Sequence, residues 1–339
     1  TQRGFDQWRR GQAGRMKAVR ELFLKLIMAI RLTRLTMAFG AVSDVWFVIL
    51  LSGAQGSEVL AVGDAPRHLA AALLAGAVVA IGLFAYGASL NDVLDARHDS
   101  TFSPHRPIPA GQIKLGQAIV VMVGALIIAV LAGAAFGTLA LWITLLVAAG
   151  ILFYNAAGKY IPAIGLVTIG LINAAHMLIP NARLSFTLPV WLVMTHAMGI
   201  ATAVHILEDK RPRLTRRSVA ALVLGWLFWS AMIVAVGVWR QGLWPQAIPV
   251  RAAVWPVAAV LAFVLVAQWK LSAVSGSVAA EKLKRYGAMW QALYGAAWLF
   301  ALDYKMQAAW LGAFAVCGFG AMTMIKELTG LSGRPIVYR

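Results

Sequence analysis

Cysteine and acidic side chains are scarce in this sequence. Among 339 residues there is one cysteine and there are 13 Asp and Glu, and only 13% of positions are charged. A soluble domain carries roughly 25% charged residues, so the composition argues against one. The single thiol, Cys317, excludes a disulfide framework and a cysteine-rich metal site. It lies in an apolar run and reads as an inert buried thiol. No period typical of repeat proteins is present, and the Arg-rich beginning lacks the compact charged and apolar regions of a cleavable leader.

Apolar residues fill the gap, at 61% of the chain with a mean hydropathy of +0.76. They gather in ten runs, at 36–54, 68–91, 117–136, 138–154, 161–180, 187–207, 217–239, 252–272, 286–303 and 307–325. Each is close to the ~20 residues that cross a bilayer as a helix. The chain is therefore expected to be an all-α polytopic membrane protein. Its expected parts are a basic amphipathic segment at the interface over 1–34, a transmembrane domain over 35–328 and a tail over 329–339.

The formal net charge of +17 suggests nucleic acid until the charges are placed. Twenty-five of the 30 Lys and Arg fall on one side of the ten runs. The other side holds only Arg67, Arg183, Arg240, Arg251 and Lys305. Cytoplasmic loops carry such an excess, so both termini are expected in the cytoplasm. The charge is a topology signal with some attraction to membrane lipids, and no nucleic-acid partner is needed.

Against this background three carboxylates stand out at the end of the second run, in SLNDVLDARHDSTFSPHRPIPAG. Asp92, Asp95 and Asp99 are spaced i, i+3 and i+7, within roughly 60° of arc on one helix face. Like charges on one face repel, and a helix C-terminus is itself negative. A hydrated loop tolerates this; a hard cation such as Mg2+, with Asn91 as a fourth oxygen ligand, offsets it. Pro104, Pro107 and Pro109 stiffen the turn that presents Arg106, which pairs with the carboxylates or binds a phosphate. After the fourth run, YNAAGKY offers Tyr154 and Lys159, as an interfacial anchor or as part of a site. After the sixth, HILEDKRPRLTRR places Glu208 and Asp209 before five basic residues. Alone it is an ordinary loop, and beside the first cluster it is a candidate second half of one site. The stretch 273–285, AVSGSVAAEKLKR, reads as a plain connector. Asn173 and His176, at i and i+3 in the fifth run, either line a cavity or bond between helices.

NDVLDARHD followed by RPIPAG resembles the NDxxDxxxD and RPLxxG elements of the UbiA superfamily of intramembrane prenyltransferases. YNAAGK is similar to that family's Y-S-x-x-x-K element, and RLTRLTMAFGAV to the entry to its first helix. IGLVTIGLINAAHMLIPN sits where the family has a Gly-rich fifth helix. The likeness covers about residues 25–215.

It implies a helical bundle of nine to ten transmembrane helices around a central cavity, in a membrane expected to be the bacterial inner membrane, with the site facing the cytoplasm. It also implies Mg2+-dependent transfer of a polyprenyl group from an isoprenoid diphosphate to a lipophilic acceptor. Asn91, Asp92, Asp95, Asp99, Glu208 and Asp209 are the implied metal ligands. Asn91, Arg106, Lys159, Lys210 and Arg211 would hold the diphosphate. Asp92, Asp95, Tyr154 and Lys159 are the implied catalytic set, and Asn173, His176 and His205 would line the acceptor cavity. The family's second motif, DxxxD, becomes His205-x-x-x-Asp209 here. Imidazole is a poor Mg2+ ligand, which leaves Glu208 or Thr202 to substitute, or the second metal weak or missing. That departure keeps a rival reading open: a non-catalytic relative that binds lipid or pigment or scaffolds a multi-subunit membrane complex. An ion-coupled transporter fits less well, because the acids cluster at one face and not near the midplane.

Overall fold

The computed structural model describes residues 38–56, 69–104, 106–245 and 248–331. The basic segment expected over 1–34 and residues 332–339 of the tail lie outside them. Among the described residues there are eleven α-helices. The first five are α1 (Phe39–Ala54), α2 (Leu69–Leu94), α3 (Ala96–Phe102), α4 (Leu115–Ala134) and α5 (Thr138–Ala156). Then follow α6 (Pro162–Met177), α7 (Leu188–Leu207), α8 (Arg216–Trp239), α9 (Val254–Leu271), α10 (Gly276–Ala301) and α11 (Lys305–Leu331). Apart from the seven-residue α3, each corresponds to one of the ten apolar runs.

Seven of the helical segments are long and apolar enough to cross a membrane: α2, α4, α5, α7, α8, α11 and the stretch 250–271 that contains α9. Helices α1 and α6 have 16 residues each, or about 24 Å, short of the ~30 Å hydrocarbon core. The lipid-facing pattern is clear on α4, α8 and α9, where Leu131, Leu224 and Leu265 are 67%, 66% and 66% exposed. Continuous apolar surface of that kind is a liability in water and is matched by acyl chains. The chain is an integral membrane protein.

Two clusters of buried side chains hold the bundle together, and α1 belongs to both. Phe47, Val48, Leu50 and Leu51 pack with α6, α7, α10 and α11. Val42, Val45 and Ile49 pack with α2, α4 and α5. Small residues permit the closest approaches: a Cβ added at Gly82 of α2 would stand 3.0 Å from the Ala125 carbonyl oxygen of α4. Side chains bond elements together: Trp226 Nε1 of α8 donates to Thr195 Oγ1 of α7 (3.0 Å), and Asn181 Nδ2, in the α6–α7 connection, to Ser52 Oγ of α1 (2.9 Å).

Two expectations are corrected. Residues 276–285 are not a connector; they form the first turns of α10, with Ala279, Leu283 and Gly287 at successive i+4 positions on its buried side. Cys317 is exposed on α11 instead of buried.

Candidate active site

The carboxylates after α2 stay on a helical ladder. The Asp95 N–H donates to the Asn91 carbonyl (2.9 Å) and the Asp99 N–H to the Asp95 carbonyl (2.8 Å), so α3 continues the path of α2. Asp92 and Asp99 are buried. One guanidinium serves both: Arg106 Nη1 is 2.6 Å from Asp99 Oδ2 and 3.7 Å from Asp92 Oδ1. The turn holds Arg106 there through its N–H to the Ser103 carbonyl (3.0 Å) and its carbonyl from the Ala110 N–H (2.9 Å). Gly111 ends it at φ +68°, a left-handed backbone that glycine adopts without strain. Of the two readings left open for Arg106, the structure shows the carboxylate pairing.

Asp95 takes a different cation. Lys159 Nζ lies 2.5 Å from Asp95 Oδ1, and both side chains are mostly buried. Lys159 sits on a single 3-10 turn, Gly158–Tyr160, between α5 and α6. That turn rests on α6 backbone to backbone: a Cβ at Gly165 would come within 2.5 Å of the Gly158 oxygen. Absence of a side chain at Gly165 therefore places Lys159.

The second acidic turn is built otherwise. Helix α7 ends in a Schellman arrangement, with the Lys210 N–H bonded to the His205 carbonyl (3.0 Å) and the Asp209 N–H to the Ile206 carbonyl (3.1 Å). Asp209 occupies the left-handed position, at φ +45°. Its exposed carboxylate chelates Arg213, Oδ1 to Nε at 2.7 Å and Oδ2 to Nη2 at 2.8 Å. Glu208 instead lies between two ammonium groups, with Lys284 Nζ at 2.8 Å from Oε1 and Lys210 Nζ at 3.1 Å from Oε2. Burial pushes the Glu208 carboxyl upward, but Lys210 and Lys284 together outweigh it and hold it below the ordinary glutamate value. His205 is buried, its Nε2 3.0 Å from the Pro212 carbonyl.

Asn91, beside the first acidic cluster, and Lys210, in the second turn, line a cavity of about 500 Å3, whereas Asp92, Asp95, Asp99, Arg106 and Lys159 lie outside its lining. Asn91, Tyr154, His205, Lys210 and Lys284 contribute to its lining, along with Asn173, His176, His196 and Gln291. Leu83, Phe84, Ile151, Ile169, Ile172 and Ile200 supply apolar wall. Tyr154, near the C-terminal end of α5, shares this lining with Asn91 of α2 and His205 of α7. Asn173 Nδ2 bonds to the Ile169 carbonyl of its own helix (2.8 Å). Arg211 is exposed and outside the lining. Among the described residues, no group of three or more His, Cys, Asp and Glu could by itself hold a metal ion.

The polar lining residues Lys284, His196 and Gln291 escaped the sequence reading as parts of a site. Lys284 was hidden in the supposed connector, although AAEKLKRYGAMW carries an apolar helical period across it. His196 is an interior polar residue of the apolar run 187–207. Its Nε2 faces the Gly287 carbonyl at 3.1 Å and its Nδ1 the Tyr294 hydroxyl at 3.3 Å. Since a carbonyl only accepts, Nε2 carries the proton and Nδ1 accepts from Tyr294. No local signal pairs residues 98 positions apart.

The decisive comparison is with family models: residues 45–293 match the UbiA prenyltransferase family. The chain belongs to that family. Intramembrane prenyl transfer is the chemistry that UbiA membership brings. Among solved structures, the chain is similar to one of digeranylgeranylglyceryl phosphate synthase in membranes, at 19% identity and a TM-score of 0.53, with 82% of this chain and 99% of that one covered. Identity at this level speaks to the fold, which is UbiA-like. A UbiA homologue from Aeropyrum pernix K1 matches at 17% identity and TM-score 0.43, over 86% of this chain and 97% of that one. A homologue from Archaeoglobus fulgidus bound to GPP and Mg2+ matches at 13% and 0.42, over 86% and 99%. No curated protein matches the chain.

Proposed function

We propose that this UbiA chain is a Mg2+-dependent prenyltransferase that moves a polyprenyl group from an isoprenoid diphosphate to a lipophilic acceptor inside the membrane. The observation that carries the reading is one largely apolar cavity lined jointly by the motif residues Asn91, Tyr154, His205 and Lys210. Asn91 belongs to the first acidic motif, Tyr154 lies near the end of α5, and His205 and Lys210 stand at the end of α7, while Lys159 is tied to the first motif through Asp95. The cationic excess on the side of these motifs supports a cytoplasmic entrance.

The donor set after α2 suits Mg2+. Asn91, Asp92, Asp95 and Asp99 offer oxygen alone, and Mg2+ is held by one or two carboxylates together with water and phosphate oxygens more often than by an all-protein cage. The lack of a closed cage among the described residues is consistent with an ion shared with substrate. Bound there, the ion would offset the negative charge that collects on the diphosphate as the allylic C–O bond breaks. The turn after α7 does not suit it. Asp209 bonds Arg213 away from the cavity, Glu208 is bracketed by lysines, and His205 offers an imidazole.

The protein groups have separate tasks. Lys159 and Lys210 hold the departing diphosphate, while the hydrogen bond to Asp95 aims Lys159. Arg106 locks the Asp92–Asp99 edge into one geometry, so the ligands are ordered before substrate arrives. Tyr154 stands at the junction between diphosphate and prenyl chain. The Leu83, Phe84 and Ile169 walls exclude water from the allylic cation. Asn173 and His176, far along α6 from the Lys159 turn, would line the acceptor part of the cavity, whereas His205 stands with Lys210 at the end of α7.

One observation favours the non-catalytic alternative, namely that the second motif's aspartate faces solvent. Incubating membranes containing the protein with labelled prenyl diphosphates of graded length, followed by mass spectrometry of the lipid extract, separates the two. A Mg2+-dependent prenylated product supports the enzyme. Tight donor binding with unchanged donor and no new lipid selects the binding subunit.

A further inference from the structure

We infer that Lys284 and Lys210 form an anion clamp that stands where a second metal ion would otherwise hold the diphosphate. This rests on the prenyl-diphosphate reading above.

The charges of the two turns are complementary. After α2, three carboxylates face two cationic side chains, Arg106 and Lys159. After α7, one carboxylate faces two ammonium groups. Among the side chains in contact, the first set sums to −1 and gains from a divalent ion, and the second sums to +1. A diphosphate lying across Tyr154 then meets positive charge on both sides, from the ion on one and from ammonium groups on the other. The geometry agrees: Lys284 Nζ and Lys210 Nζ take opposite oxygens of one carboxylate, at 2.8 and 3.1 Å, and both side chains line the cavity. Glu208 thus presents to the lysines the two-oxygen anionic edge that a phosphate would present. It acts as a placeholder that substrate displaces, not as a metal ligand. Lysine suits this role, since an ammonium is a compact charge with three donors and no fixed approach direction. The backbone supplies the reason for the exchange. With α7 ended at Leu207 and Asp209 in the left-handed turn position, no carboxylate remains one helical turn beyond His205 on the cavity side.

The test is calorimetry of inorganic pyrophosphate binding to the detergent-purified full chain with Mg2+, together with Mn2+ paramagnetic resonance to count bound ions. The clamp predicts one Mn2+ per chain in the presence of pyrophosphate. Lys284→Gln and Lys210→Gln should each weaken pyrophosphate about tenfold, as loss of a charge-assisted hydrogen bond does, without changing the Mn2+ count. Lys284→Arg, which keeps the charge, should recover most of the affinity. Glu208→Gln gives the sharpest contrast, because removing the placeholder tightens pyrophosphate, whereas removing a metal ligand loosens it. Two Mn2+ per chain, one of them lost in Glu208→Gln, would overturn the clamp. So would wild-type affinity in Lys284→Gln. If the wild-type chain binds neither pyrophosphate nor Mn2+, the prenyl-diphosphate reading falls as well; if it binds both and the lysine variants match it, only the clamp falls.

Discussion

Lys159 and Asp95 stand 64 residues apart in sequence and 2.5 Å apart in space. This ion pair joins the end of α2 to the turn after α5 and fixes a lysine beside the acidic cluster. Both side chains are mostly removed from water, so each leaves the other without its hydrogen-bond partner when it is truncated. Neither Lys159→Ala nor Asp95→Ala should therefore be neutral for stability, and each should cost about 1–3 kcal/mol. A double-mutant cycle by thermal melting should return a coupling of the same sign, with the double variant less destabilised than the sum. Additive effects would mean that the pair does not form.

Gly165→Ala probes how Lys159 is placed without touching a charge. The new methyl meets the Gly158 oxygen at 2.5 Å, so the 158–160 turn must move. Prenyl transfer should drop at least tenfold, with a helical circular-dichroism spectrum like that of the wild type. Full activity would show that the turn adapts and that Lys159 has latitude.

Acidification tests the Glu208 environment. Its carboxyl titrates below the ordinary glutamate value because Lys210 and Lys284 outweigh the effect of burial. A depressed folded-state value means that Glu208 stabilises the fold at neutral pH, and that this contribution disappears as pH falls from the ordinary glutamate range through the lower, folded one. The difference in melting temperature between wild type and Glu208→Gln should therefore be largest near pH 7 and shrink on acidification. A difference that grows toward low pH would contradict the lysine bracket.

The two aspartates that begin and end the paired motifs should behave unequally. Asp92 is buried beside Arg106, whereas Asp209 is an exposed partner of Arg213. Asp92→Ala should lower prenyl transfer by more than 100-fold at any Mg2+ concentration. Asp209→Ala should stay within about twofold, since exposed pairs contribute little. Equal losses would mean that α7 extends and turns Asp209 inward when substrate binds.

Much of the helical layout was legible because apolar runs near bilayer length have few alternative structures. The first acidic turn was legible for a local reason, since i, i+3, i+7 spacing needs only a helix to bring Asp92 and Asp99 to one guanidinium. Asp209 was harder. Its distance from His205 is right for one helix face, but the outcome depends on where α7 stops. Pro212, shortly beyond, is the available signal of that stop. Lys284 was missed because charged residues lowered the hydropathy of a helix that its apolar period still marks. The His196–Tyr294 contact is purely tertiary, and nothing near either residue announces the other.

Turnover of a labelled prenyl diphosphate by purified protein tests the central claim most directly. Wild-type protein supplied with membrane lipid extract and Mg2+ should consume geranylgeranyl or a longer diphosphate, releasing pyrophosphate in step with a prenylated lipid. Chelation by EDTA and the Asp92→Ala substitution should each abolish both. Donors of every length recovered unchanged, or equal consumption by wild type and Asp92→Ala, would contradict the account.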